Sequence, residues 1–573
     1  MSAKNLEIAR IFAQIADLLE LKQESSFRVN AYRKGSRALE SLAEDVEAIA
    51  ARGGLRGIGG IGDRLAEKID EYLRTGTIGY FEELRQTLPP GLSELMTVPE
   101  IGPKTAIVLY ERLGITDIEG LERAARDGKI RALPRLGAKI EQNILQGIER
   151  RRLADVRQPI GVVLPRAQAV CEALRRVPGV EAVGLAGSIR RMRDTIADID
   201  IVVATAAPEP VMETVVGLPQ VARVLSRGST LSSVLLGVAG IQCDVRAVDP
   251  ESYGAAWQYF TGSKDHNVQL REMAVRRGLR INEYGVFRVA GEERIGGRAE
   301  EEVYGALGLP WIPPEIREGQ GEIELAQRGA LPALVALSDI RGDLHMHTTW
   351  SDGDDTVEAM ARAAKARGYE YVAITDHSRS LRFAGGVSVD DLRAHAETVE
   401  ALSERVGLHI LMGTEVDILP DGSLDYPDDV LETLDLVIGS VHSRFRMPAE
   451  EMTRRIVAAM QNPHLDILGH PTGRLVGQRE PYDLDLDAVV DAARRTETVL
   501  EISAYPERLD LKDTHVRLAR DRGAQFEIGT DSHRADQLRV MDYGIGTARR
   551  GWVDAARVIN TWPLAQLLDF LRG

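Results

Sequence analysis

At 573 residues the chain is too long for one hydrophobic core and divides into three to five compact units. Its two cysteines, Cys171 and Cys243, exclude a disulfide framework and a thiolate metal site, so any metal must use imidazole and carboxylate. A net charge of -16 excludes a basic protein that coats nucleic acid indiscriminately, and the lack of a long apolar run or a signal-type N-terminus predicts a cytoplasmic chain without a membrane partner.

Residues 1 to about 150 read as short helices, with a 3.6-residue period in "ARIFAQIADLLEL", "RLAEKIDEYLRTG" and "KTAIVLYERLG". Within them, "GIGGIGDRLAEKIDEYLRTG" (57–76) and "VPEIGPKTAIVLYERLG" (98–114) each set glycines just before a helix. Glycine before a helix is usually only a turn. Two copies, with Gly60, Gly62 and Arg64 in one, Gly102 and Lys104 in the other, and Lys68 nearby, suit a different use, in which backbone N–H groups meet a DNA phosphate without side-chain bulk. They resemble helix-hairpin-helix motifs, with Glu100 standing at a usual glycine position of the second.

From about 155 to 315, short strands ("EAVGLAGS", "DIDIVVAT", "IQCDVRAV", "GVFRVAG") alternate with helical stretches, which predicts an α+β unit. In "DIDIVV" the two-residue period puts Asp198 and Asp200 on one face and Ile199 and Ile201 on the other. "IQCDVRAV" repeats the pattern with Asp244 and Arg246 opposite Ile241, Cys243 and Val245. If these strands are neighbours, three carboxylates converge, and only divalent cations relieve such repulsion. Gly187 and Ser188 open a turn into Arg190 and Arg191, a set suited to triphosphate oxygens. Spacing alone leaves open the plainer reading of an exposed strand edge kept apart by charge.

The run "GS…RR…DID", then "DVR", then "YFTGSKDHNVQLREMAVRRGLRINEYGVF" resembles the nucleotidyltransferase core of family X DNA polymerases, of which DNA polymerase beta is the familiar member. The resemblance makes Asp198, Asp200 and Asp244 carboxylates for Mg2+ or Mn2+, and Ser188 and Arg191 ligands of the incoming triphosphate. It makes Tyr259, Phe260 and Gly262 the sugar-contacting turn, and Asn267 and Arg271 contacts to the nascent pair and template. Two departures stand out: Ala197 replaces a glycine, and Lys264 replaces an acidic residue beside the nucleotide base. The first segment, with "FRVNAYRKGSRALESL", is similar to the lyase domain of the same family. It implies Lys68 as a Schiff-base nucleophile with Arg64 and Arg28 as phosphate contacts, the alternative being that Lys68 pairs with Glu67 or Glu71 or grips DNA by charge.

After a polar, proline-containing stretch read as a linker (316–338) come seven strand-like runs spaced by helices: "GDLHMH", "YVAITDH", "HILMGTEV", "LVIGSVH", "DILGH", "TVLEIS" and "QFEIGTDSH". That rhythm predicts a β/α barrel, whose functional residues gather at the C-terminal strand ends. His345, His347, Asp352, His377, Glu415, His442, His470, Asp531 and His533 fall at those ends, more donors than one ion needs, so two or three ions for phosphoester hydrolysis are implied. Arg379, Arg444 and Arg474 are candidates for phosphate oxygens by proximity in sequence. His395, His409, His464 and His515 read as ordinary surface or helix residues. The set "DLHMHTTWSDG…ITDHS…GTEVDI…GSVHS…GHP…TDSH" resembles the PHP (polymerase and histidinol phosphatase) domain over residues 339–573, which implies a distorted (β/α)7 barrel holding two or three Mn2+ or Zn2+ ions and acting as a phosphoesterase or 3′-5′ exonuclease.

The whole chain thus reads as multidomain: a lyase-like helical region (1–85), a helix-hairpin-helix subdomain (86–153), an α+β nucleotidyltransferase palm (154–249), a nascent-base-pair subdomain (250–315), the linker, and the barrel. The expected function is gap-filling DNA polymerase in base excision or end joining with a 3′-5′ exonuclease, acting as a monomer on gapped or nicked DNA with dNTPs, alongside other repair proteins. Two alternatives remain: a metallophosphoesterase for DNA ends or abasic sites whose polymerase-like region mainly binds DNA, and a non-enzymatic end-binding scaffold.

Overall fold

The computed structural model describes the chain except residues 1, 2, 23, 41, 43–45, 87–94, 96, 97, 99, 100, 102, 134, 135, 155, 156, 238, 239, 382, 383 and 573. It divides into two units, 1–157 with 222–225 and 235–242, and 158–221 with 226–234 and 243–573.

The first unit is helical. α1 (Ala3–Leu21) places Ile8, Phe12, Ile15 and Leu19 on one stripe, all fully buried, against α2 (Ser26–Glu40). α3 (Asp63–Thr75) begins at Gly62, carries Asp63 in its first turn, buries Leu65, Ala66 and Ile69, and stops at Gly76, whose left-handed φ of 75° only glycine adopts freely. α4 (Pro103–Leu113) follows the second glycine hairpin; Gly102 and Glu100 lie outside the described residues.

β1 (Val180–Leu185), β2 (Asp198–Thr205) and β3 (Ile241–Val248) are successive neighbours in one sheet, β3 belonging to the second unit from residue 243 on. On β3, Ile241, Cys243, Val245 and Ala247 are buried while Asp244 and Arg246 are half-exposed, the alternation of a strand with one covered face. α5 (Gly187–Arg190) caps the sheet. α6 (Tyr253–Thr261), α7 (Lys264–Arg276) and the antiparallel strands β4 (Leu279–Asn282), β5 (Gly285–Arg288) and β6 (Arg294–Gly296) follow.

The stretch 316–338 is packed rather than free. It carries α8 (Glu322–Gln327), and Ile316, Ile323 and Ala326 join a core with Leu270, Met273, Tyr304 and Trp552. Two of its charged residues, Arg317 and Glu322, are buried because each has a partner: Arg317 reaches Glu300 at 2.7 Å, and Glu322 accepts from Gly319 and Gln320 N–H groups and meets His266 Nδ1 at 2.7 Å.

Seven parallel strands then follow in sequence order: β7 (Gly342–Asp343), β8 (Tyr371–Ile374), β9 (His409–Asp417), β10 (Leu436–Ser440), β11 (Ile467–Leu468), β12 (Val499–Glu501) and β13 (Phe526–Glu527). A parallel bridge between Met346 and Ser532, with His347 N–H donating to Ser532 O at 2.8 Å, links the first strand end to the last and curls the sheet into a (β/α)7 barrel. The strands are buried on both faces, as a sheet covered by helices requires. Among the described residues no helix is long and apolar enough to cross a membrane.

Candidate metal centres

The seven strand ends bring their donors to one mouth. Three groups have all their donor atoms within 4.8 Å of one another: His347, Asp352, His377 and His533; His345, His347 and Asp531; and His377, Glu415 and His442. Glu415 is the hub. It lies 2.8 Å from His470 Nε2, 2.9 Å from His377 Nδ1, 3.4 Å from His442 Nε2, and 3.6 Å from both His345 and His347 Nε2. Asp531 approaches His347 Nε2 at 3.1 Å, and Asp352 approaches His533 Nε2 at 3.3 Å. All nine side chains selected from the sequence therefore meet.

The chemistry of this set fits divalent ions. Among the described residues, His345 Nε2, His347 Nδ1 and His470 Nδ1 are buried without a hydrogen-bond partner, which is costly unless something else takes those lone pairs. The electrostatics agree. Burial, with the His377 and His533 rings beside it, pushes His347 down to about 4, leaving it neutral and able to donate. Against the cost of burial, Glu415 and Asp352 raise His377 to about 10, a cationic character that a bound ion would replace.

Two orienting carboxylates escape sequence reasoning. Glu501 Oε1 meets His345 Nδ1 at 2.6 Å, and Asp417 Oδ1 meets His442 Nδ1 at 2.6 Å, each turning the opposite ring nitrogen toward Glu415. The only signal was their place at or beside strand ends, in "VLEIS" and "TEVDI".

Two of the three arginines picked out by proximity are otherwise engaged. Arg379 donates to Asp425 O at 2.7 Å, and Arg474 holds Arg508 O, Leu509 O and the Asp194 carboxylate. Arg444 is exposed and pairs with none of the nine donors among the described residues. The cation beside the cluster is Arg508, 3.3 Å from Asp531. His395 and His515, read as ordinary surface or helix residues, do sit on helices but are buried, His395 stacked on Trp350 at 4.6 Å.

In the palm, β2 and β3 set Asp198, Asp200 and Asp244 side by side. Burial, then the Asp198 and Asp244 charges, raise Asp200 to about 7 against the pull of Arg246 and Arg191. Gly187, at φ 60°, lets the backbone pass Asp200 so closely that a Cβ there would lie 2.5 Å from Oδ2. Ser188 is half-buried on α5. Arg191 donates to Thr261 O and pairs with Glu318 at 3.2 Å. Arg190, grouped with it from sequence, is instead a structural residue, bound to both oxygens of Glu300 at 2.7 Å and lying over Trp257.

Tyr259 and Phe260 pack edge to face at 5.1 Å at the end of α6, Gly262 caps that helix, and the Gly262–Ser263 peptide is cis. Asn267 is buried, donating to Tyr259 O at 2.7 Å, whereas Arg271 and Lys264 are exposed. In the helical unit, Gly62 and Arg64 are exposed at the start of α3, and Gly60 takes a left-handed φ of 100° against Lys34. The Lys68 ammonium lies 4.5 Å over the Tyr80 ring, whose hydroxyl accepts from Arg28 at 2.7 Å. Burial lowers the Lys68 pKa against the pull of Glu71, Glu67 and Glu83. Lys104 is on α4.

Family comparisons agree with this layout. A helix-hairpin-helix domain matches residues 3–78, a SAM-like helix-hairpin-helix tandem 92–150, the DNA polymerase beta thumb 256–318, and the PHP domain 343–504. A probable phosphatase of Thermoanaerobacter sp. is 27% identical over 242 residues, 40% of this chain and 94% of that protein. One of Acetivibrio thermocellus is 31% identical over 210 residues, 35% of this chain and 82% of its own length. The DNA polymerase/3′-5′ exonuclease PolX of Bacillus subtilis is 39% identical over 568 residues, 99% of both chains. A likeness of that extent, spanning helical front, palm, thumb and barrel alike, shows that the chain belongs to the family X DNA polymerases that carry a C-terminal PHP domain.

Proposed function

We propose that the chain is a DNA-directed DNA polymerase that fills short gaps in base-excision or end-joining repair, and that its barrel site is a metal-dependent 3′-5′ exonuclease. The observation that carries the reading is the existence of two separate acidic centres in one chain, three carboxylates on adjacent palm strands and nine donors around Glu415. Divalent ions bound there would offset the carboxylate charge, polarise phosphoryl oxygens and lower the pKa of an attacking water or hydroxyl.

In the palm, Asp198, Asp200 and Asp244 would hold Mg2+ or Mn2+ while Ser188 and Arg191 bind the dNTP triphosphate, Arg191 exchanging Glu318 for phosphate oxygens. Tyr259, Phe260 and Gly262 would pack on the sugar, and Asn267 and Arg271 would face the nascent pair. In the barrel, the nine donors would take two or three Mn2+ or Zn2+ ions. Gly60 and Gly62 with Arg64, and Gly102 with Lys104, would grip the DNA backbone on either side of a gap. The chain would work in the cytoplasm as a monomer, with other repair proteins as further partners. A one-nucleotide gap incubated with purified protein, dNTPs and manganese tests this. Extension together with 3′ shortening supports it, and retention of intact DNA contradicts it.

A second activity has its own observation. The half-buried Lys68, with burial lowering its pKa and Arg28 held beside Tyr80, suits attack on the aldehyde of a 5′-deoxyribose phosphate. Borohydride trapping of the protein on an incised abasic site, lost in Lys68→Ala, is the expected result. No trapping by wild type leaves Lys68 as a DNA contact.

A further inference from the structure

Arg508 lies in the loop after β12, and its side chain, 18% exposed, stands at the wall of the donor cluster. Its ion pair is Asp531, with Nε 3.3 Å from Oδ2, and among the described residues its guanidinium donates no hydrogen bond to protein. A planar group with five donors, beside Asp531, Glu415 and His470 and open on one side, is matched to the paired oxygens of a phosphodiester.

The loop that carries it is fixed. Arg508 N–H donates to Tyr505 O at 2.8 Å, Ser503 N–H to Asp510 O at 2.6 Å, and Thr472 N–H and hydroxyl to the Asp510 carboxylate at 2.9 and 2.8 Å. Leu509 takes φ 45°, a left-handed conformation costing a side-chain residue about 1–2 kcal/mol, so something must hold it. Arg474 does so from the neighbouring strand end. Its Nε donates to Arg508 O at 2.9 Å and its Nη2 to Leu509 O at 2.5 Å, while Nη1 donates at 3.0 Å to Asp194, in the palm turn after Arg191.

We propose that Arg508 binds a non-bridging oxygen of the scissile phosphate in the barrel, and that Arg474, braced by Asp194 of the palm, is the positioning residue that holds it there. The inference rests on the reading of the barrel as a phosphodiesterase. In that reaction the water oxygen bonds to phosphorus, the bond from phosphorus to the 3′ oxygen of the penultimate nucleotide breaks, and that oxygen takes a proton. Negative charge grows on the non-bridging oxygens, where a guanidinium fork already in place stabilises it without reorganising. A palm side chain is thereby part of the framework of the exonuclease site, and the turn that would receive a triphosphate shares its scaffold with the loop that would receive a 3′ end.

The test is steady-state resection of a 3′-labelled oligonucleotide in manganese, with bound metal quantified alongside. Arg508→Ala is expected to lower kcat by about 100-fold, the scale for losing one such donor, at unchanged metal content. Arg508→Lys should recover part of that loss, and added guanidinium ion should partly rescue Arg508→Ala. Asp194→Asn should lose about tenfold, and adding it to Arg508→Ala should cause no further loss, because both act through one group. If Arg508→Ala fails to fold, Arg508→Lys carries the test by the same two readouts. Wild-type kinetics in either Arg508 variant, a loss that tracks lost metal, or additive losses in the double variant overturn the inference alone. A wild-type protein with no resection at all overturns the phosphodiesterase reading, and the inference with it.

Discussion

The orientation of His442 gives the sharpest quantitative handle on the barrel site. Its Nδ1 is 2.6 Å from Asp417 Oδ1, and Asp417 also accepts from the Ser380 hydroxyl and donates its own N–H to Ser378 Oγ at 3.0 Å. This three-point hold fixes the tautomer with the proton on Nδ1, so Nε2 faces Glu415 Oε1 at 3.4 Å as a donor to metal. Asp417→Ala removes charge and acceptor together. Outer-shell losses of this kind cost 10- to 100-fold in metal affinity, or about 1.4–2.7 kcal/mol. Asp417→Asn keeps an oxygen for His442 and loses only the charge assistance, so it belongs near the tenfold end and Asp417→Ala near the hundredfold end. Calorimetric titration of metal-free protein with manganese measures both, and the half-saturating manganese for resection should shift in step. An unchanged titration in Asp417→Ala would refute the reasoning, because the ring would then need no partner to present Nε2.

Other outcomes follow from single contacts. Gly187→Ala places a methyl group 2.5 Å from Asp200 Oδ2 at a φ of 60°, so gap filling should fall sharply while 3′ resection stays at the wild-type rate; intact gap filling would contradict the close approach. Glu300 joins Arg190 and Arg317 with little solvent contact, and Glu300→Gln should cost about 3–5 kcal/mol in thermal or denaturant unfolding. Burial raises Asp466 to about 7, with its carboxylate accepting from Val437 N–H at 2.8 Å. The folded form therefore binds its proton more tightly than an unfolded Asp at about 3.9, and stability falls as pH rises from about 4 through 7. Asp466→Asn should then stabilise the barrel at pH 8 by about 2 kcal/mol, discounted for partial exposure, and hardly at all at pH 4. A gain independent of pH would refute that assignment.

Much of the barrel is readable in the chain because six of the seven strand ends carry a histidine or carboxylate at or just after a short apolar run. "LVIGSVH" and "DILGH" show both signals, and the sheet keeps sequence order. The Asp198 and Asp200 pair is equally plain, since the two-residue period separates it from Ile199 and Ile201. What stays hidden depends on where a side chain ends rather than where it starts. Arg474 and Arg379 look like phosphate contacts by position, yet their long stems carry the guanidinium to backbone carbonyls and a distant aspartate. Arg508 sits in "YPERLDL", which reads as a polar loop, and only folding brings it to Asp531. The polar 316–338 stretch hides a core segment because Arg317 and Glu322 look solvent-seeking until Glu300 and His266 supply their partners. Glu501 and Asp417 look like ordinary strand residues because what they do is done to a histidine on another strand.

That two independent cation centres serve opposite reactions on one 3′ end is tested most directly by following the primer terminus of a single-nucleotide gap in manganese and dNTPs with wild type, an Asp198→Ala, Asp200→Ala double variant, and His345→Ala. The aspartate variant should only shorten the primer and His345→Ala should only extend it. Extension surviving the aspartate changes, or shortening surviving His345→Ala, would contradict it.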